Sequence, residues 1–197
     1  MKTTKGLLFG LILFGIGQAK GQDYAKPASE YGIRPGTIVT LDGKTTEGYV
    51  FNAVITENQK KCIFYKDYKD SRTQKNYLPE ELLEYSIEND HYKSISYSGA
   101  LKFGKADKHF IYVAKPGVIA GYVFWAPEEQ FFWAKANEEP VAAGSLFLGF
   151  KKNMLKLIGD DAELAAKVER KEKGYGPLNV LDIINEYNKR AETKKNN

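Results

Sequence analysis

The chain has 197 residues, 43% hydrophobic and 27% charged, with 29 Lys and Arg against 25 Asp and Glu. Its single cysteine, Cys62, excludes an internal disulfide, so stability must come from a core. Setting aside the first 21 residues, which hold Lys2, Lys5 and Lys20 and no acid, leaves 26 basic against 25 acidic residues. That balance is too even to attract nucleic acid.

Residues 1–21 have the three-part layout of an export signal. Lys2 and Lys5 supply the cationic start, Gly6 to Gly17 an uncharged apolar block, and Gln18 to Gly21 small residues spaced for a signal peptidase. A block this short falls below the ~20 residues of a membrane-spanning helix. Cleavage after Ala19 or after Gly21 fits equally, giving a mature start at Lys20 or Gln22. With no cysteine at either cut, a lipid anchor on the signal is not expected. The expected location is periplasmic or secreted, with no integral membrane segment after cleavage.

Residues 22–35 are polar, carry Pro27, Gly32 and Pro35, and read as an extended leader. Residues 36–193 read as one α+β domain, with its β part at 36–136 and its helical part at 144–193. About 176 mature residues can bury roughly 70% of their unfolded surface. Thr37 to Leu41 and Glu47 to Phe51 flank Asp42-Gly43, the composition of a hairpin. Cys62 to Lys66 reads as a third strand, with the thiol a small buried hydrophobe. The segment 67–76 reads as a charged surface loop, and Leu78-Pro79-Glu80-Glu81-Leu82 as one helical turn with Pro at its start.

Leu83, Tyr85 and Ile87 alternate with Glu84, Ser86 and Glu88, the pattern of a half-buried strand. A turn at Asn89-Asp90 leads into His91 to Ser98, where Ile95 and Tyr97 share a face. Lys108 to Ala114 and Val118 to Trp125 form two more strands. The second is apolar on both faces and therefore central or covered. Phe131 to Ala136 closes the β part. The expected architecture is an antiparallel sheet, or a small sandwich or barrel, with C-terminal amphipathic helices packed on it. Leu146, Phe147, Phe150, Met154, Leu157 and Ile158 recur at helical spacing. Asp160 and Glu163 suggest a capping box for a second helix. A third runs from about Leu178 to Ala191, with Val180, Leu181, Ile184 and Tyr187 on its buried face. A transmembrane barrel is not expected, because such chains do not end in amphipathic helices.

Several segments together resemble a group of exported proteins of unknown function common in the Bacteroidetes. They are Gly36 to Gly43 with Glu47 to Val50, Tyr77 to Leu82, Phe150 to Met154, Gly159 to Leu164 and Ile184 to Asn188. The likeness covers roughly 36–190. It implies a periplasmic or envelope setting and carries over no catalytic residue.

No catalytic motif stands out. His91, His109 and Cys62 lie in three separate segments, so their spacing asks for no metal site, and no cofactor is implied. Ser145 lacks the second glycine of a nucleophile elbow. Neighbouring acid pairs such as Glu80/Glu81 cannot flank one substrate bond. The compositional oddity is aromatic: 13 Tyr, 11 Phe and 2 Trp. Trp125, Phe131 and Trp133 cluster around the turn 126–130. Either they form a ligand platform, or they are strand aromatics tucked under the helices. The expected function is a non-catalytic envelope protein with a structural or protein-interaction role. The alternatives are a carbohydrate- or ligand-binding module built on the aromatic hairpin, and a hydrolase whose residues are dispersed in sequence. An envelope protein or a glycan is the expected partner, and nucleic acid is not.

Overall fold

A computed structural model describes residues 26–27, 30–98, 106–125, 128–136 and 138–196. The expected export signal, residues 22–25 and 28–29 of the expected leader, Ala126 and Pro127 of the aromatic turn and Asn137 lie outside the described residues. Ten strands form one antiparallel sheet, and helices follow it. The strands are β1 (Gly32–Thr40), β2 (Thr45–Asn52), β3 (Cys62–Tyr65), β4 (Gln74–Tyr77), β5 (Leu82–Ile87), β6 (Asp90–Tyr97), β7 (Asp107–Lys115), β8 (Ala120–Trp125), β9 (Glu129–Ala134) and β10 (Val141–Ala142). The helices are α1 (Ile55–Asn58), α2 (Ser145–Leu148), α3 (Phe150–Ile158), α4 (Ala162–Glu169) and α5 (Val180–Asn196). The sheet order is β10-β9-β8-β7-β6-β5-β1-β2-β3-β4. Two meanders thus run in opposite directions from the β1–β5 pair. The fold is α+β, and its sheet is open.

Alternation along the strands separates two faces. The inner face carries Ile38, Val50, Phe64, Tyr85, Tyr92, Phe110, Tyr112 and Val123 in one core cluster. Tyr85 and Tyr92 stack at 4.8 Å between centroids, and Phe110 meets Tyr85 edge-on at the same distance. Burial holds the Tyr85 and Tyr92 phenols well above their usual range. The outer face of β6 to β9 carries a second cluster, including Tyr97, Ile111, Tyr122, Phe124 and Phe132. Tyr97 on β6 stacks on Phe132 of β9 at 4.4 Å, although a flat sheet separates those strands by about 14 Å. The sheet therefore curls strongly toward its outer face here.

At the other half it curls inward. Gln59, just after α1, reaches β8 across the concavity. Its side chain donates to the Trp125 carbonyl at 2.9 Å and accepts the Trp125 amide at 2.7 Å. Asn188 of α5 treats Ile119 in the same way, donating to its carbonyl at 3.0 Å and accepting from its amide at 2.7 Å. Two carboxamides thus take the place of a neighbouring strand at the two ends of β8.

Gly36 and Gly48 are cross-strand partners on the inner face. A methyl group on Gly48 would come within 2.4 Å of the Phe64 ring and 2.5 Å of the Tyr65 carbonyl. Gly48→Ala is therefore expected to cost about 1–3 kcal/mol by overpacking, read as a lower urea midpoint with an unchanged slope.

The helices lie against the inner face of β8 to β10. Trp133 shares a cluster with Val141, Leu146, Met154, Leu157, Leu164, Val168, Val180, Ile183 and Ile184. Several expectations are corrected here. β1 begins at Gly32, inside the expected leader, because its pairing with β2 extends to Gly32↔Asn52. The expected loop 67–76 contains the start of β4, which pairs with β3 from Gln74. In β5 the buried residue is Leu82, while Leu83 is 47% exposed. A register shift at Val39/Thr40 turns the strand by one residue.

The helix expected over Leu146 to Ile158 is two, broken at Gly149, and Phe147 is exposed. Asp161, not Asp160, caps α4 by accepting from the Leu164 amide at 3.0 Å. Asp160 instead accepts from Lys135 at 2.9 Å and from Tyr187 at 2.6 Å, tying β9 to α5. In α5 the buried stripe is Val180, Ile183, Ile184 and Tyr187, with Leu181 turned outward. That is the i, i+3, i+4, i+7 spacing of one helix face.

Arg190 binds the Glu163 carboxylate through both terminal nitrogens, at 2.7 and 3.0 Å. This hydrogen bond, aided by Lys167, lowers the Glu163 pKa from 4.5 to about 2. Because the folded value lies below the unfolded one, the stabilisation is complete above pH 4.5 and fades as pH falls toward about 2. Denaturant midpoints followed by helical circular dichroism should drop across that window. Glu163→Gln should flatten the drop.

Candidate functional site

Along the outer face, the curl of the sheet leaves a groove of about 730 Å³. One wall is the end of β1 and β5, with Val39, Leu83 and Glu84. The opposite wall is the β9–β10 connection, with Lys135, Glu138 and Pro140. Lys93, Ile95, Lys108 and Tyr122 form the floor. The antiparallel register explains the floor: Lys93 faces Ile111, and Ile95 faces His109. This volume falls within the range of ligand pockets, roughly 300–1,000 Å³.

The lining mixes both charges with apolar surface. Lys135 is nearly buried and held by Glu138 at 3.3 Å and Asp160 at 2.9 Å. Glu84 receives His91 Nδ1 at 2.8 Å, with Lys93 at 3.9 Å from its other oxygen. His91 lines an adjoining hollow of about 260 Å³, beside Asn89, Val113 and Pro116.

A histidine held by a carboxylate is two-thirds of a hydrolytic triad. Ser86 faces His91 across β5 and β6. Its hydroxyl is engaged elsewhere, 2.9 Å from the Thr37 hydroxyl and 3.1 Å from the Thr37 amide. His109 lies against the Phe124 ring at 4.8 Å, and burial lowers its pKa. Cys62 is 1% exposed, and burial raises its thiol far above the reactive range. Among the described residues, no three His, Cys, Asp or Glu side chains converge on a metal position. No described helix is long and apolar enough to cross a membrane.

Trp125, Phe131 and Trp133 do share one face of β8 and β9, and Phe131 meets Trp133 edge-on at 5.2 Å. That face is the inner one. Trp133 is 2% exposed beneath the helices, so its ring offers no face to a ligand arriving from solvent. Trp125 and Phe131 are partly buried against the inner core. Gly121, opposite Trp133, leaves room for both rings.

The groove residues escaped the sequence reading because they come from six separate segments, joined only when the sheet curls. The alternation of Lys93, Ile95 and Tyr97 on one face was the available signal. Comparison with known families, curated proteins and solved structures finds no match for this chain.

Proposed function

We propose that the protein is an exported, non-catalytic interaction protein of the cell envelope, and that the groove receives an extended segment of a polypeptide partner. The observation that carries this reading is the lining itself. Lys93, Lys108 and Lys135 interleave with Glu84 and Glu138 around Ile95 and Leu83. A peptide strand presents the same mixture of charges and apolar side chains along its length. A small reacting substrate calls instead for a few convergent polar groups. The export layout of residues 1–21 and the likeness to envelope proteins support the compartment.

A photo-crosslinking side chain at Ile95 or Lys108 in the native cell tests the reading. Both positions should capture the same polypeptide, and one at exposed Leu178 should not. Glu84→Lys should weaken the association about tenfold, equivalent to 1.4 kcal/mol. Capture from Leu178 alone would overturn the assignment. A mature mass beginning at Lys20 or Gln22 is the matching result for export.

The second reading, a hydrolase, rests on the His91–Glu84 pair. It requires a nucleophile or bound water in the adjoining hollow, and turnover lost on His91→Gln.

A further inference from the structure

The outer face of β1 to β3 carries aromatic rings where an antiparallel sheet ordinarily presents polar residues. Tyr49 and Tyr65 are direct cross-strand partners, and Phe51 faces Ile33 on β1. Tyr68 meets Tyr49 edge-on at 4.6 Å, and Tyr31 meets Phe51 at 4.9 Å. Tyr31 is 69% exposed and Tyr68 44%. This surface is separate from the groove, whose floor lies on β6 to β8 and which reaches β1 only at Val39.

Its surroundings are cationic. Residues 60–77 contain six Lys or Arg against two Asp, in a chain that is otherwise close to neutral beyond its first 21 residues. Lys69 lies over the Tyr68 ring at 5.9 Å. Lys66 donates to the Glu47 carbonyl at 3.0 Å, beside the same rings. Lys61 precedes β3 in phase with Ile63 and Tyr65. Gln74 and Asn76 on β4 pair with Tyr65 and Ile63 and are exposed.

We infer that this face binds an acidic glycan, a chain of sugars bearing carboxylates. Tyrosine rings stack on the C–H faces of sugars, amides match their hydroxyls, and the lysines complement the carboxylates. The cations cluster at one end and one edge of the aromatic surface. Such an arrangement suits a ligand with intermittent charge better than one with a phosphate at every residue.

The test uses the mature chain and a hyaluronan oligomer, in which every second sugar bears a carboxylate, followed by calorimetry and by tyrosine NMR shifts. A neutral glucan oligomer and oligodeoxythymidylate serve as comparison ligands. The acidic oligomer should bind, and more weakly as salt rises. Tyr68→Ala and Lys69→Ala should each weaken binding about tenfold with an unchanged melting temperature, since both side chains are exposed. Tyr65→Phe should retain most of the affinity, because the ring is kept. No binding by the acidic oligomer would overturn the inference. So would equal binding of the neutral oligomer, stronger binding of oligodeoxythymidylate, indifference to Tyr68→Ala, or a face occupied by a second copy of the chain. Glu84→Lys in the groove should leave glycan binding unchanged, so failure here and failure of the polypeptide reading are separable.

Discussion

Trp133→Ala is expected to cost about 3–5 kcal/mol, the range for deleting a large buried aromatic. The indole sits where sheet and helices share a core, against Met154, Leu157 and Ile184 among others. Deleting it opens a cavity that helices anchored at several other points cannot collapse to fill. Trp133→Phe should cost far less. The buried Nε1–H has no hydrogen-bond partner among the described residues, and losing an unpaired donor offsets part of the lost packing. Equilibrium urea unfolding of both variants checks this. A small loss for Trp133→Ala would place the ring at the surface and reopen the platform reading of the aromatic hairpin.

Gln59→Ala is expected to cost about 2–4 kcal/mol, since it orphans both backbone groups of Trp125 at once. Gln59 is 3% exposed, so little water reaches the vacated site. The same carboxamide holds α1 against β8, and through it the inward curl of the sheet. Hydrogen exchange at the Trp125 amide, accelerated in the variant, is the local readout. Gln59→Glu should be worse than Gln59→Ala. At neutral pH its carboxylate can accept from the Trp125 amide but faces the Trp125 carbonyl with a second acceptor.

The strands were largely legible in the sequence because alternation is a local signal. Leu83 to Glu88, the hairpin at Asp42-Gly43 and the doubly apolar β8 each announce themselves within a few residues. What escaped depends on distant partners. Nothing local to Leu82 shows that a register shift on β1 will bury it in place of Leu83. Gln59 reads as a polar loop residue until the sheet curls and brings Trp125 to it. The aromatic cluster illustrates the same limit. Trp125, Phe131 and Trp133 are indeed neighbours, but which face of the sheet the helices cover is a tertiary fact. The tyrosines at 49, 65 and 68 were overlooked for a related reason. In β2 and β3 both alternating sets are apolar, Val50 with Tyr49 and Phe64 with Tyr65, and only the curl of the sheet, which closes the inner core over Val50 and Phe64, leaves the other set half-buried on the outer face.

Glu163 and Arg190 show how charge patterns mislead when read locally. The spacing of Asp160 and Glu163 suggests a capping box. In the fold, Asp161 caps α4 while Glu163 accepts both terminal nitrogens of Arg190, so the tail is docked through its charges.

The most direct measurement is mass spectrometry of the adduct captured by a photo-crosslinker at Ile95 on the groove floor. A single polypeptide segment carrying both signs of charge, absent when Glu84→Lys is combined with the label, is the predicted result. An adduct containing no polypeptide, or the same adduct formed from Leu178, would contradict the proposal that the groove is where this protein meets its partner.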